Sequence, residues 1–211
     1  RQIADVEIDD KISFVIKKTE EIMEDSEYQG VRLSLDAYLD KTRIPLKIDI
    51  STGDVITPCE ISFSYQLMFE NRTIPLLAYP PETVLAEKLE TILSRGEANT
   101  RLRDFYDVYI LQREDFVVTP DALCHALLAT CRKRGHEDLL HTYASILDRV
   151  RQSDTMRTQW MKYQSDFDYA AGITWDTVLD TVETLCMKTL DDHAFGDELP
   201  QEESQFEMHL L

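Results

Sequence analysis

The residues with the clearest chemical potential are one lysine and two aspartates. Lys88 stands in PPETVLAEKLETILSR, residues 80–95, and Asp104 and Asp107 stand in TRLRDFYDVYIL, residues 100–111, beside Arg101 and Arg103. An ammonium group near acids and guanidinium groups suits a polyanion site, in which the lysine meets phosphate while the acids hold a metal ion or orient the lysine. The same residues also fit a plain surface. There Lys88 snorkels over apolar neighbours and the aspartates pair with Arg101 and Arg103 in water. Residue type and spacing leave both open.

Two helices and a turn must position these groups. Pro81 sits where a missing N–H costs little, Glu82 suits the positive end of the helix dipole, and Gly96 is a natural stop. Leu85, Leu89 and Ile92 recur at i, i+4 and i+7 and predict a buried stripe, with Lys88 at its edge and Thr91 and Arg95 continuing the lysine's row. A second helix from about Arg101 puts Asp104 and Asp107 on one face.

Upstream of this pair the pattern is strand-like. Residues 12–18 read as a strand, and Thr19–Tyr28 as a short acidic helical connection. Strict alternation from Val31 to Leu39 predicts a half-buried strand, and Leu46, Ile48 and Ile50 alternate with Lys47, Asp49 and Ser51 in another. Asp49 is thus a carboxylate on a strand's polar face, where aspartate is depleted. Residues 60–69 alternate again, with Phe69 at the end of the apolar side, and residues 74–79 pair back as a hairpin. Beyond Pro80 the period is helical. Thr119-Pro120 opens a helix that Gly135 closes, residues 137–151 and 154–170 form two more, and Thr174 caps the last, to about Leu190.

Composition narrows the classes. The chain has 211 residues and a formal net charge of −18, with seven acids and no Lys or Arg in residues 191–211. Such a field repels nucleic acid at long range and argues against nonspecific DNA binding. Local basic patches remain at Arg95, Arg101 and Arg103 and at Arg132-Lys133-Arg134, although the latter run equally suits a helix C-terminus. Cys59, Cys124, Cys131 and Cys186 are widely spaced and read as reduced, buried thiols; His125, His136 and His141 lack metal spacing and read as helix-surface residues. No apolar run is long enough for a membrane span and no signal peptide opens the chain, so the expected compartment is the cytoplasm.

The segments AEKLETILSR and TRLRDFYDVYIL, with PLKIDISTGDVITP at 45–58 and LLATCRKRG at 127–135, resemble the AbiEii/AbiGii family of nucleotidyltransferase toxins from abortive-infection and type IV toxin–antitoxin systems. The resemblance covers roughly residues 10–190, and is most specific at Glu87-Lys88 and at residues 103–107. It implies an α+β fold: a partial, polymerase-β-like nucleotidyltransferase mixed sheet over residues 1–79, a C-terminal helical domain over 80–190, and a flexible acidic tail over 191–211. It also implies nucleotide transfer from an NTP, in some members to the tRNA acceptor end, a role in phage defence, Mg²⁺ as cofactor and an antitoxin partner at the operon level.

By this resemblance Asp49 is the metal-binding or base-side carboxylate, Lys88 meets the β/γ-phosphates and Asp104 positions Lys88 or the nucleotide. Asp107 supports them from behind, while Arg95 and Arg103 assist in binding substrate. Asp49, Lys88 and Asp104 are expected to converge on one pocket. One departure stands out. The family's glycine-rich turn followed by Asp-x-Asp is absent, since Asp9-Asp10, Asp36 and Asp40 lack that context, and the chain opens on Arg1. A catalytic segment upstream of Arg1 is therefore expected. The alternative is a non-catalytic binding or regulatory module that docks a partner protein.

Overall fold

A computed structural model of the chain describes residues 11–22, 30–113 and 118–191. Two compact units divide it, Arg1–Val55 and Ile56–Leu211. The fold is α+β: small antiparallel sheets come first and helices follow, the order of a nucleotidyltransferase-like fold.

The first unit holds β1 (Ile12–Ile22), β2 (Gly30–Leu39) and β3 (Thr42–Ser51), paired antiparallel in that order. The two-residue turn Asp40–Lys41 joins β2 to β3, with Asp40 at φ 49°, a conformation that aspartate tolerates and that suits the strands' twist. A helical connection from Thr19 does not form. β1 continues to Ile22, because Thr19, Glu20 and Glu21 find partners opposite Leu33, Arg32 and Val31; residues 23–28 of that expectation lie outside the described residues, as do Asp9 and Asp10. The alternation in β3 is present, yet Ile44, Leu46, Ile48 and Ile50 are all exposed rather than half-buried. The cover that the pattern anticipates is not supplied among the described residues.

On the sheet's other face the register shift between Ile16 and Lys18 turns Lys17 toward the buried Asp36, with Nζ 3.5 Å from its carboxylate. Arg43 adds a second cation at 3.7 Å and the Tyr38 hydroxyl donates at 3.3 Å. A buried strand carboxylate is stable only with such partners.

The second unit begins with the hairpin of β4 (Ile61–Gln66) and β5 (Thr73–Ala78). Gln66 closes its loop by donating from Nε2 to the carbonyls of Leu67, Glu70 and Arg72. Leu67 and Phe69 therefore lie in the loop rather than on the strand, and Phe69 is fully in solvent at 93%. Among the described residues six α-helices follow: α1 (Pro81–Arg95), α2 (Leu102–Leu111), α3 (Pro120–Lys133), α4 (Leu139–Gln152), α5 (Asp154–Asp166) and α6 (Trp175–Leu190). The change of period at Pro80 marks the start of α1. The compact unit starts earlier because Thr57 is tied to α1, its N–H donating to Thr83 Oγ1 and its carbonyl accepting from the same hydroxyl.

Helix α1 is the axis of the core and packs on α2, α3 and α4. Leu85, Leu89 and Ile92 are completely buried, each contributing about 1.5–3 kcal/mol. Gly96 turns the chain at φ 49°, where a side chain would be strained. Thr119 and Thr174 cap α3 and α6 through their hydroxyls, as expected. Helix α5 ends at Asp166, and residues 168–170 form a separate 3-10 turn instead of its continuation. Of the acidic tail only Asp191 is described, and it accepts a short hydrogen bond from the Tyr143 hydroxyl; residues 192–211 lie outside the described residues. No described helix is long and apolar enough to cross a membrane.

Three thiols are buried, but Cys59 is exposed. Burial pushes Cys131 and Cys186 up from an ordinary 9.0 to about 12, with Glu90 adding to the effect at Cys131. Above pH 9 the unfolded chain releases protons that the folded chain keeps, so the stability these thiols contribute is intact below that pH and is lost as pH rises toward about 12. Urea midpoints are expected to fall across that alkaline window, and less steeply for Cys186→Ala. A thiol reagent at neutral pH is expected to label Cys59 at once and the other three only as the chain opens.

Candidate phosphate-binding site

The α1–α2 hairpin brings its charged residues together. Lys88 Nζ lies 2.6 Å from Asp107 Oδ2 and 3.3 Å from Asp104 Oδ1. Helical spacing makes this possible: Asp104 and Asp107, one turn apart on α2, form a two-pronged seat for an ammonium arriving from α1. The surface alternative fails for Asp104, whose side chain is 4% exposed; that of Lys88 is 19% and that of Asp107 23%. Partial burial strengthens these charge-assisted bonds and makes losing one partner costly.

Two arginines complete the cluster. Arg101 places Nε 2.8 Å from Asp104 Oδ2 and an Nη hydrogen bond on Oδ1, and Arg103 Nε lies 3.8 Å from Asp107 Oδ1. Asp104 Oδ2 accepts no well-aligned hydrogen bond despite that near guanidinium, so its charge is met while its lone pairs are not. Three cations face two carboxylates. Arg101 and Arg103 are more than half exposed and available to a further anion.

In its sequence context Asn99 looks like an ordinary turn residue. It is completely buried, and its Oδ1 accepts from the Arg101 N–H at 2.7 Å. Its own N–H bonds to the Gly96 carbonyl. This side chain stitches the turn to the start of α2 and so sets where Arg101 and Asp104 point. Asn99→Ala is expected to cost about 1–3 kcal/mol by leaving the Arg101 N–H without its partner, read as a lowered urea midpoint.

The other basic candidates take no part in the Lys88–Asp104–Asp107 ion pairs. Arg95 is exposed in the last turn of α1. Arg132 pairs with Glu137 at 3.1 Å. Arg134 makes a short ion pair with the buried Glu90 and reaches Glu87 at 3.9 Å. His136 is no simple helix-surface histidine: it follows α3, with Nδ1 2.7 Å from Glu90 Oε1. Arg134 and His136 thus serve α1 internally.

Asp49 belongs to the first unit. It lies directly opposite Arg32 and takes a bidentate pair at 2.6 and 2.7 Å. That hydrogen-bonded guanidinium holds its carboxyl below the usual carboxylate range. Both carboxylate oxygens of Asp49 are thus engaged by Arg32.

Among the described residues no three His, Cys, Asp or Glu side chains gather as a metal-holding group. At the hairpin the carboxylates are already engaged by an ammonium and two guanidinium groups. That donor set does not fit Mg²⁺. It fits an anion, held by the cations the carboxylates keep in place.

A family model described as "Nucleotidyl transferase AbiEii toxin, Type IV TA system" matches residues 1–181. No curated protein and no solved structure matches the chain. The family match spans β1 through the first turns of α6 and includes the whole Lys88 cluster. On that extent, the chain belongs to the AbiEii family of nucleotidyltransferase toxins of type IV toxin–antitoxin systems.

Proposed function

We propose that the nucleotidyl transfer of this family runs here from an NTP to an RNA 3′ hydroxyl, with the tRNA acceptor end as the substrate class and Lys88 as the cation on the triphosphate. The observation that carries this is the seat of Lys88: an ammonium in a part-buried position, aimed by two carboxylates and flanked by two exposed guanidinium groups. A positioned cation need not reorganise as charge builds on the leaving pyrophosphate, which is how such groups accelerate phosphoryl chemistry. In the reaction the acceptor 3′ hydroxyl gives up its proton to solvent as its oxygen bonds to the α-phosphorus, the bond from that phosphorus to the α–β bridging oxygen breaks, and pyrophosphate leaves. Asp104 and Asp107 orient Lys88, while Arg103 and Arg95 are the auxiliary phosphate contacts.

The family resemblance makes Asp49 the candidate Mg²⁺ carboxylate, a role that requires the ion to displace the Arg32 guanidinium now holding both of its oxygens. The cognate antitoxin is the partner that the family implies.

The test is labelling. The full-length protein, incubated with each radiolabelled NTP and total tRNA, is expected to add label that periodate oxidation of the RNA 3′ end prevents. Label that survives oxidation would redirect the acceptor, and no transfer to any RNA would overturn the proposal. A docking role is favoured by one observation, the exposed apolar residues of β3. Calorimetric titration separates the two, since a docking module binds neither NTP nor Mg²⁺.

A further inference from the structure

Beside the Lys88 cluster lies a group of aromatic rings that the phosphate chemistry does not use. Tyr106 of α2 sits one residue before Asp107, its ring 4.8 Å from that of Tyr169. Tyr163 of α5 packs on Phe167 at 4.8 Å, and its hydroxyl shares a 2.9 Å hydrogen bond with that of Tyr169. Phe167 and Tyr169 stack at 5.4 Å with 29° between their planes.

The inner and outer members of this group differ. Tyr163 is buried and rests on Trp160, so it belongs to the core. Phe167 and Tyr169 are 42% and 50% exposed on the segment that leaves α5. Two large rings stacked at 29° and each about half exposed leave aromatic surface in water, a poor end state for apolar groups and a place where a third ring can stack.

Asp107 links the platform to the cations. One carboxylate oxygen takes the Lys88 ammonium, and its charge, opposed by Arg103, also weighs on the Tyr163 phenol, whose pKa is raised chiefly by burial and by the bond to Tyr169. Asp166 and Asp168 flank Phe167 and are exposed, so they discourage phosphate at the platform itself. A ligand spanning both places would put its anionic end on Lys88 and Arg103 and a neutral planar ring over Phe167 and Tyr169. A nucleotide has that division of charge.

Resting on the proposed function, we infer that Phe167 and Tyr169 form a stacking platform for a nucleobase, either that of the NTP or the terminal base of the acceptor RNA. Stacking of this kind tolerates any base, because every base has a π face. The site therefore contributes affinity and orientation without reading sequence.

The experiment compares three ligands on the full-length protein by calorimetry: ATP, inorganic tripolyphosphate and a short single-stranded RNA. Replacing both Phe167 and Tyr169 by alanine is expected to weaken binding about tenfold for the ligand whose base is stacked, with tripolyphosphate unchanged. Loss confined to ATP assigns the platform to the incoming nucleotide, and loss confined to RNA assigns it to the acceptor. Tyr169→Phe should bind as wild type, since it keeps the ring. If the double alanine variant does not fold, replacing both Phe167 and Tyr169 by leucine retains apolar bulk without a π face and should show the same selective loss. Wild-type affinity of the folded variants for both ATP and RNA would overturn the platform while leaving Lys88 its role. Failure of the wild-type protein to bind tripolyphosphate would overturn the phosphate site, and the platform with it.

Discussion

Replacing Lys88 by alanine in the full-length protein is expected to abolish NTP-dependent labelling of RNA, lowering the rate by about 10²–10³-fold or more, the usual loss when one positioned charge-stabilising group is removed. Lys88→Arg should not restore it. The planar guanidinium needs a wider seat than the one set by Asp104 and Asp107 at 3.3 and 2.6 Å from a compact ammonium. Folding must be checked in parallel, because truncation also strands Asp104, nearly buried and left with Arg101 alone. Unfolding midpoints for Lys88→Ala and Lys88→Met separate the effects: methionine keeps the packing of the lysine stem and removes only the charge. Wild-type labelling by either variant would remove Lys88 from the site.

The largest stability loss from a single polar substitution is expected at Glu90. Its side chain is 2% exposed and receives both Arg134 and His136, so Glu90→Ala leaves a guanidinium facing a dry gap beside α1. Removing one partner of a buried ion pair costs about 3–5 kcal/mol, and the lower end applies because Arg134, at 23%, can turn toward water. The double change Glu90→Leu with Arg134→Met should recover most of that loss, since apolar groups of similar size often replace buried ion pairs without penalty. Urea unfolding of the two singles and the double closes the cycle. Additive losses would show that the two side chains act independently. Because Glu90 and Lys88 share α1, Glu90→Ala should also reduce labelling, but far less than Lys88→Ala does.

The hairpin is the part of the chain most legible in its residues. Pro81, the apolar spacing of Leu85, Leu89 and Ile92, and Gly96 define α1 by local rules, and α1 does run from Pro81 to Arg95. The i, i+3 spacing of Asp104 and Asp107 put both acids on one face, and both meet Lys88. Where a local pattern needed a distant partner, it misled. Thr19–Ile22 looked helical by composition, yet joined β1 because β2 offered free hydrogen-bonding groups. Phe69 continued an alternation that Gln66 had already ended by closing the loop. Arg132-Lys133-Arg134 looked like a surface patch, but Glu90 and Glu87, more than 40 residues away in sequence, claim Arg134.

What the order of residues determined alone is everything set within one or two turns of chain: the helix starts and stops, the strand alternation, and the pairing of acids on a face. The family too is written in such short segments. What only the tertiary structure decided is which charges meet. It sank Asp104 beneath Arg101, drew Glu90 inside under Arg134, set Asp49 against Arg32 and left Phe167 and Tyr169 facing water. The reason is range. Backbone sterics and hydrogen-bond spacing act between near neighbours in sequence, whereas burial and ion pairing depend on groups that the chain brings together only once its core has closed.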